Sequence, residues 1–225
     1  MTHTEADDRH VKDVVRQHWA ARAAEFDTGP THGLLNDAQR AAWNQRVKAW
    51  AGDRPLDVLD VGCGTGFLAL QFAALGHQAS GVDVADEMLS RARAKAAAAG
   101  LSVRFDVGDA ERLPHPDVSF DLVIERHVIW TLPAPDAALH EWARVLRPGG
   151  RVLLIEGDWH RGSVNPDYAD IVDALPLYGG RPSSELRRRV TAAGFGAVTV
   201  EPLMDAVLWG GPVERERYAL SGTRE

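Results

Sequence analysis

Apolar and polar positions alternate in two different ways along the chain. Over residues 7–27, Val11, Val14, Val15 and Trp19 recur every three to four residues between charges, which predicts an amphipathic helix. Asp27-Thr28-Gly29-Pro30 reads as its stop. A second helix is expected over 34–51, where Leu35, Ala38 and Ala42 share one face and Trp43, Val47 and Trp50 a neighbouring one. From Leu56 onward, short apolar runs alternate with helical patterns. Strands are predicted at 56–61, 79–82, 103–107, 120–124 and 151–156, and helices at 67–75, 86–99 and 136–146. Gly76, Gly100 and Pro148-Gly149-Gly150 follow those helices as stops. Val152-Leu153-Leu154-Ile155 is apolar without alternation, as in a strand buried on both faces. Strand alternating with helix predicts an α/β fold with a parallel sheet covered on both sides. The tail is less regular. It suggests a helix over 168–175, a firmer one over 183–193, and strands at 197–202 and 217–221.

The 225 residues suit one domain with a helical N-terminal extension. A single cysteine excludes a disulfide scaffold or a cysteine-rich zinc module. A net charge of -7 provides no basic field for nucleic acid or an anionic membrane surface. No apolar run reaches the roughly 20 residues of a membrane span. The polar, acidic start from Met1 to Asp8 is unlike a signal peptide, so the expected location is cytoplasmic.

The densest signal is Val58-Leu59-Asp60-Val61-Gly62-Cys63-Gly64-Thr65-Gly66, a strand running through a glycine turn into a helix. Its third glycine comes one residue too early for a dinucleotide fingerprint, and no Gly-Lys-Ser/Thr follows as in a P-loop. Asp60, at the mouth of the turn, suits a cationic ammonium or sulfonium ligand better than a pyrophosphate. Asp83 closes the second strand, where a carboxylate can accept from both hydroxyls of a ribose. Asp109 closes the third, within reach of an adenine amino group. Acids at three consecutive strand ends lie along the edge where open α/β sheets bind ligands.

The segment 59–66, with Asp83, Gly108-Asp109-Ala110, Phe120-Asp121-Leu122-Val123 and Arg147-Pro148-Gly149-Gly150, resembles the class I S-adenosylmethionine-dependent methyltransferases. The resemblance runs from about 56 to 156. It implies a Rossmann-like seven-stranded sheet with its last strand antiparallel and helices on both faces. Residues 54–225 would form that core, and residues 1–53 a helical cap over the site. It further implies S-adenosyl-L-methionine as donor, held by Asp60, Gly62, Cys63, Gly64 and Gly66 at its methionine end and by Asp83 at the ribose. Asp109 and Ala110 would face the adenine, Met88 would pack on its ring, and Glu125 and Arg126 would lie beside the donor's amino acid end. Cys63 reads as a small turn residue, and Arg187-Arg188-Arg189 as a solvated helix face.

Methyl transfer from a sulfonium needs alignment and exclusion of water, and a base only where the acceptor must lose a proton. Candidates for that chemistry follow the fourth and fifth strands. His127 is the candidate general base at neutral pH, with Glu125 and Asp158 as the other catalytic candidates. Trp130, Trp159 and His160 would wall the acceptor, joined by Trp19, Phe26 and His32 from the cap. A metal is not expected, because the carboxylate set of the catechol-type branch is absent. Aromatic walls with acids suit a flat acceptor and also a cationic one, which points to a small-molecule, secondary-metabolite substrate. The residues do not choose among oxygen, nitrogen and carbon, or between phenol and indole, and the oligomeric state stays open. The competing classes are a protein or nucleic-acid methyltransferase and a non-catalytic binder of the donor. The segment Glu125-Arg126-His127-Val128 departs from the Asn/Asp-Pro-Pro-aromatic tetrad of amino-directed base methylators.

Overall fold

In a computed structural model that describes residues 5–29, 31–159 and 164–225, the alternating elements assemble into one seven-stranded sheet. The chain runs α1 (Glu5–Arg22), α2 (Asp37–Ala51), β1 (Asp57–Val61), α3 (Phe67–Ala74), β2 (Gln78–Asp83), α4 (Asp86–Ala98) and β3 (Arg104–Val107). It continues through β4 (Phe120–Arg126), α5 (Pro135–Val145), β5 (Leu146–Gly157), α6 (Ser183–Ala192), β6 (Phe195–Pro202), α7 (Ala206–Trp209) and β7 (Arg217–Arg224). The strand order is β3-β2-β1-β4-β5-β7-β6. The first five strands pair in parallel, and β7 lies antiparallel between β5 and β6.

The period of two along each strand sorts the core into two layers. Leu122, Ile124, Leu153 and Ile155 face Trp43, Phe72 and Leu89, while Val123, Val152 and Leu154 face Leu139, Trp142 and Val190. Both faces are apolar because helices cover both, which is why the strands read as continuous hydrophobic runs. Between β1 and β4 the strand order reverses, and the crevice opened there at the carboxyl ends of the strands is the ligand position of such sheets.

The described residues ahead of β1 do two jobs. On α1, Val11 and Val15 pack on Tyr168, Ile171 and Leu175, and Ala23 packs with Ala85 and Met88, so the helix crosses the ligand edge. By contrast, α2 belongs to a core layer: Trp43 is fully buried and donates from Nε1 to Leu208 O at 2.8 Å. Its start is fixed by Asn36, whose side chain accepts from Gln39 N.

Four local features differ from the sequence expectation. The first helix ends at Arg22 and gives way to a 3-10 turn at Phe26–Thr28, which doubles the chain back over the glycine turn. Residues 166–174 form two 3-10 turns, Pro166–Tyr168 and Val172–Ala174, in place of an α-helix. β5 begins at Leu146, with a register shift opposite Phe120/Leu122 around its Pro-Gly-Gly. The short α7, capped by Asp205, is additional, and it brings Trp209 into the core with Nε1 on Leu203 O at 2.7 Å. Among the described residues, no helix is long and apolar enough to cross a membrane.

Candidate active site

The glycine turn after β1 is held in a left-handed course, with φ of 62° at Gly62, 54° at Gly64 and 83° at Gly66. At Gly62 the demand is also steric, since a Cβ would lie 2.3 Å from Val128 Cγ2. Two hydrogen bonds tie the turn to β2: Cys63 N donates to Val82 O at 3.0 Å, and Gly64 N donates to Asp83 Oδ2 at 2.8 Å. Asp83 also accepts from Ala85 N through Oδ1 at 2.9 Å. Burial raises its carboxyl pKa, and these backbone donors oppose the rise.

Above the turn lies a cavity open to solvent at its mouth. Gly62, Gly64, Asp83, Met88, Asp109, Ala110, Arg126 and His127 line it from the core, and Trp19, Phe26 and His32 from the N-terminal segment. Further lining residues are Lys12, Val15, Val84, Gly108, Val128, Thr131 and Leu132. Val15 belongs to the apolar stripe of α1 and was legible as such. Lys12 carried no local signal: its partners, Asp109 at 2.7 Å and Glu111, lie about a hundred positions away along the chain.

The segment that roofs the cavity is fastened at several points. Asp27 binds Thr65 Oγ1 at 2.6 Å and Lys95 Nζ at 2.9 Å. Arg126 donates to the carbonyls of Thr31 and His32, while its guanidinium sits 4.0 Å from the Phe67 ring and 4.9 Å from the Trp43 ring. Burial lowers the Arg126 pKa to about 9. His32 stacks on Phe26 with 4.5 Å between ring centroids, and burial followed by the charge of Arg126 lowers its pKa to about 4.

His127 stands directly after β4 with φ of 62°. Its ring lies edge-on to Trp159 at 4.1 Å and nearly parallel to Trp209 at 5.6 Å. Burial, and next the charge of Arg126, push its imidazole well below the ordinary value, so the ring is neutral at neutral pH. Its Nε2 is buried and, among the described residues, has no hydrogen-bond partner.

Several expected site residues stand behind the wall instead of on it. Asp60 is 2% exposed and lies beneath the turn, accepting from Ala69 N at 2.9 Å; burial raises its pKa to about 7. The Cys63 thiol points to Gly81, where a Cβ would meet it at 2.7 Å, and burial pushes its pKa up. Gly66 faces away from the cavity, against Ala92 and Leu70 at the start of α3. Glu125 is fully buried and accepts from Val128 N. Trp130 packs on Trp19, Tyr168 and Tyr178, and Trp159 backs His127. Asp158 bridges to Gly180 through its backbone, with Oδ1 buried. His160 lies outside the described residues. Among the described residues, no three His, Cys, Asp or Glu side chains converge as a metal site.

The cavity's chemistry fits S-adenosylmethionine. Two acids, Asp83 and Asp109, line it together with the apolar Val84, Met88, Ala110 and Leu132 and the aromatic Trp19 and Phe26, and Lys12 and Arg126 are its cations. Acids beside apolar and aromatic side chains suit a cationic sulfonium nucleoside.

A family model described as "Methyltransferase domain" matches residues 59–154. The chain is 37% identical over 146 residues to a demethylmenaquinone methyltransferase of Deinococcus radiodurans, covering 64% of this chain and 60% of that protein. It is 33% identical over 172 residues to the ubiquinone/menaquinone biosynthesis C-methyltransferase UbiE of Laribacter hongkongensis, covering 71% of this chain and 70% of that one. The crystal structure of the [4+2]-cyclase SpnF superposes with a TM-score of 0.71 at 23% identity, over 93% of this chain and 94% of that chain, a likeness of fold. The chain thus spans about 60% of the length of the first of these relatives and more of the second. With glycine turn, strand-end acids and sheet order matching, the chain belongs to the class I S-adenosylmethionine-dependent methyltransferases.

Proposed function

We propose that the protein transfers a methyl group from S-adenosylmethionine to a small hydroxylated aromatic acceptor, at ring carbon or oxygen. The observation that carries this reading is the make-up of the cavity wall. Its lining includes His127, Trp19, Phe26, His32, Val15, Thr131 and Leu132, and among the described residues its only lining carboxylates are Asp83 and Asp109, both assigned to the donor. Such a wall offers a protonated amine no counter-charge and accepts a flat aromatic ring. The cationic acceptor suggested by the sequence is therefore set aside: Glu125 and Asp158, acids expected at the site, do not line the cavity. The names of the quinone-methylating relatives support the same class.

In this reading Asp83 binds the ribose hydroxyls, Asp109 and Ala110 orient the adenine over Met88, and the glycine turn admits the methionine moiety. When bound, the cofactor supplies an electrophilic methyl group on a sulfonium. The neutral His127 imidazole accepts the acceptor's hydroxyl proton, which raises the electron density of the ring and its oxygen. The roof of Trp19, Phe26 and His32 excludes water from the reacting groups. Equilibrium binding to the S-adenosylhomocysteine complex tests the acceptor class. Hydroquinone is expected to bind and benzylamine, an ammonium of similar size, is not; the reverse order would overturn the assignment.

A further inference from the structure

Beneath the acceptor wall lie two acids that the proposed reaction does not use. Glu125 is the penultimate residue of β4 and Glu156 that of β5, the neighbouring strand, and they are 0% and 1% exposed. Among the described residues, Oε1 of each is buried and has no hydrogen-bond partner, and the charge of Glu156 acts on the Glu125 carboxyl. Two carboxylates side by side cannot donate to one another, and one proton held between them would serve both. The outer oxygens are used on opposite sides. Glu125 Oε2 accepts from Val128 N at 2.8 Å, and Glu156 Oε2 accepts from Trp159 Nε1 at 3.1 Å.

These bonds reach the cavity by two short routes. Val128 lines it and fills the space that a Cβ on Gly62 would need. Trp159 packs 4.1 Å from the ring of His127. One pair of side chains thus supports both the residue that faces the glycine turn and the residue behind the imidazole. We infer that Glu125 and Glu156 share one proton and act together as a positioning pair, setting Val128 and His127 for the acceptor end of the site. This rests on the methyl-transfer reading for what is being positioned, and not for the pair itself.

The pair's surroundings hold the proton in place. Burial raises both carboxyl pKa values; the charge of Glu156 adds to the rise at Glu125, while Trp159 and Glu125 oppose it at Glu156. The charged and titratable neighbours are Arg126 on β4, Asp158 after β5, and Glu216, Arg217 and Tyr218 from the β7 side. Tyr218 is paired with Glu156 in register and spends its hydroxyl on Arg181 O. Neither arginine forms an ion pair with either glutamate among the described residues; Arg217 donates to the carbonyls of Asp158 and Glu216. Loss of the shared proton sets two adjacent buried carboxylates against each other, which separates the two outer bonds.

The test uses the full chain labelled with carbon-13 glutamate. Its infrared spectrum near neutral pH is expected to contain a protonated-carboxyl band that is absent in E125Q, where an amide donates in place of the acid. In parallel, affinity for S-adenosylhomocysteine is measured by calorimetry at about pH 7 and about pH 10. Wild type is expected to weaken about tenfold on that rise and E125Q less than about twofold, since the amide has no proton to lose. A missing acid band, or an equal loss in E125Q, overturns the inference. If wild type binds no S-adenosylhomocysteine at neutral pH, the methyl-transfer reading falls, and the infrared band alone decides the pair.

Discussion

Gly64 N donates to Asp83 Oδ2 at 2.8 Å, so the backbone that admits the cofactor and the acid assigned to its ribose are one hydrogen-bonded unit. Asp83→Ala removes that bond, the one to Ala85 N and the ribose acceptor together. Binding of S-adenosylhomocysteine is expected to weaken by about 1–3 kcal/mol, measured by calorimetry. Asp83→Asn keeps one acceptor oxygen and should fall between the two. Unchanged affinity in Asp83→Ala would remove the ribose assignment.

The two glycines at the front of the turn should respond differently to alanine. Gly62→Ala combines positive φ with a clash at Val128 Cγ2, while a Cβ at Gly64 meets only Phe26 Cε1 at 3.6 Å, ordinary contact. Gly64→Ala is expected to cost about 1 kcal/mol of stability from backbone strain, and Gly62→Ala about 2–4 kcal/mol, in denaturant titrations. Equal losses would mean that Val128 yields freely.

His127→Ala should lower kcat by roughly 10²–10⁴ with a phenolic acceptor, the range for loss of a general base. Because burial and Arg126 depress the imidazole pKa, its basic form persists into mildly acidic solution. The kcat profile should therefore stay flat as the pH falls from about 8 to about 6, where an ordinary histidine would be half lost. A fall centred near the ordinary value would show a solvated imidazole. A change in acceptor affinity alone would make His127 a binding residue.

Asp60 gives the ligand-free protein a pH-dependent stability. Its pKa stands near 7 when folded against an ordinary 3.8, so between these values the folded chain holds the extra proton. Stability from this group is complete below the unfolded value and declines as pH rises through the folded one, by at most about 4 kcal/mol. Asp60→Asn lacks that decline. Comparing melting temperatures at about pH 5 and about pH 8, the variant should gain on wild type at the higher pH. A constant difference would place Asp60 in contact with water.

Much of this site could be read from the chain because local rules and the tertiary fold agree there. Gly62, Gly64 and Asp83 were legible because a positive-φ turn and a strand-end acid leave marks in adjacent residues. Asp60 was placed at the mouth of the turn by its position in sequence, but strand alternation sends its side chain under α3, to Ala69 N. Trp130 and Trp159 were legible as aromatics near the site. That both stand behind the cavity wall depended on the 166–178 segment and on α7, neither of which has a local pattern strong enough to fix it. Lys12 and the Glu125–Glu156 contact join residues distant in sequence, and only the sheet order and the course of α1 bring them together.

The central claim is methyl transfer to a hydroxylated aromatic. The most direct measurement incubates the protein with donor carrying a deuterated methyl group and a pooled set of phenols, hydroquinones, indoles, amines and carboxylates, and reads the products by mass. The account predicts labelled phenol or hydroquinone products, carrying the methyl at carbon or oxygen, and none from the amines. Labelled amines, or no labelled product while S-adenosylhomocysteine binds, would contradict it.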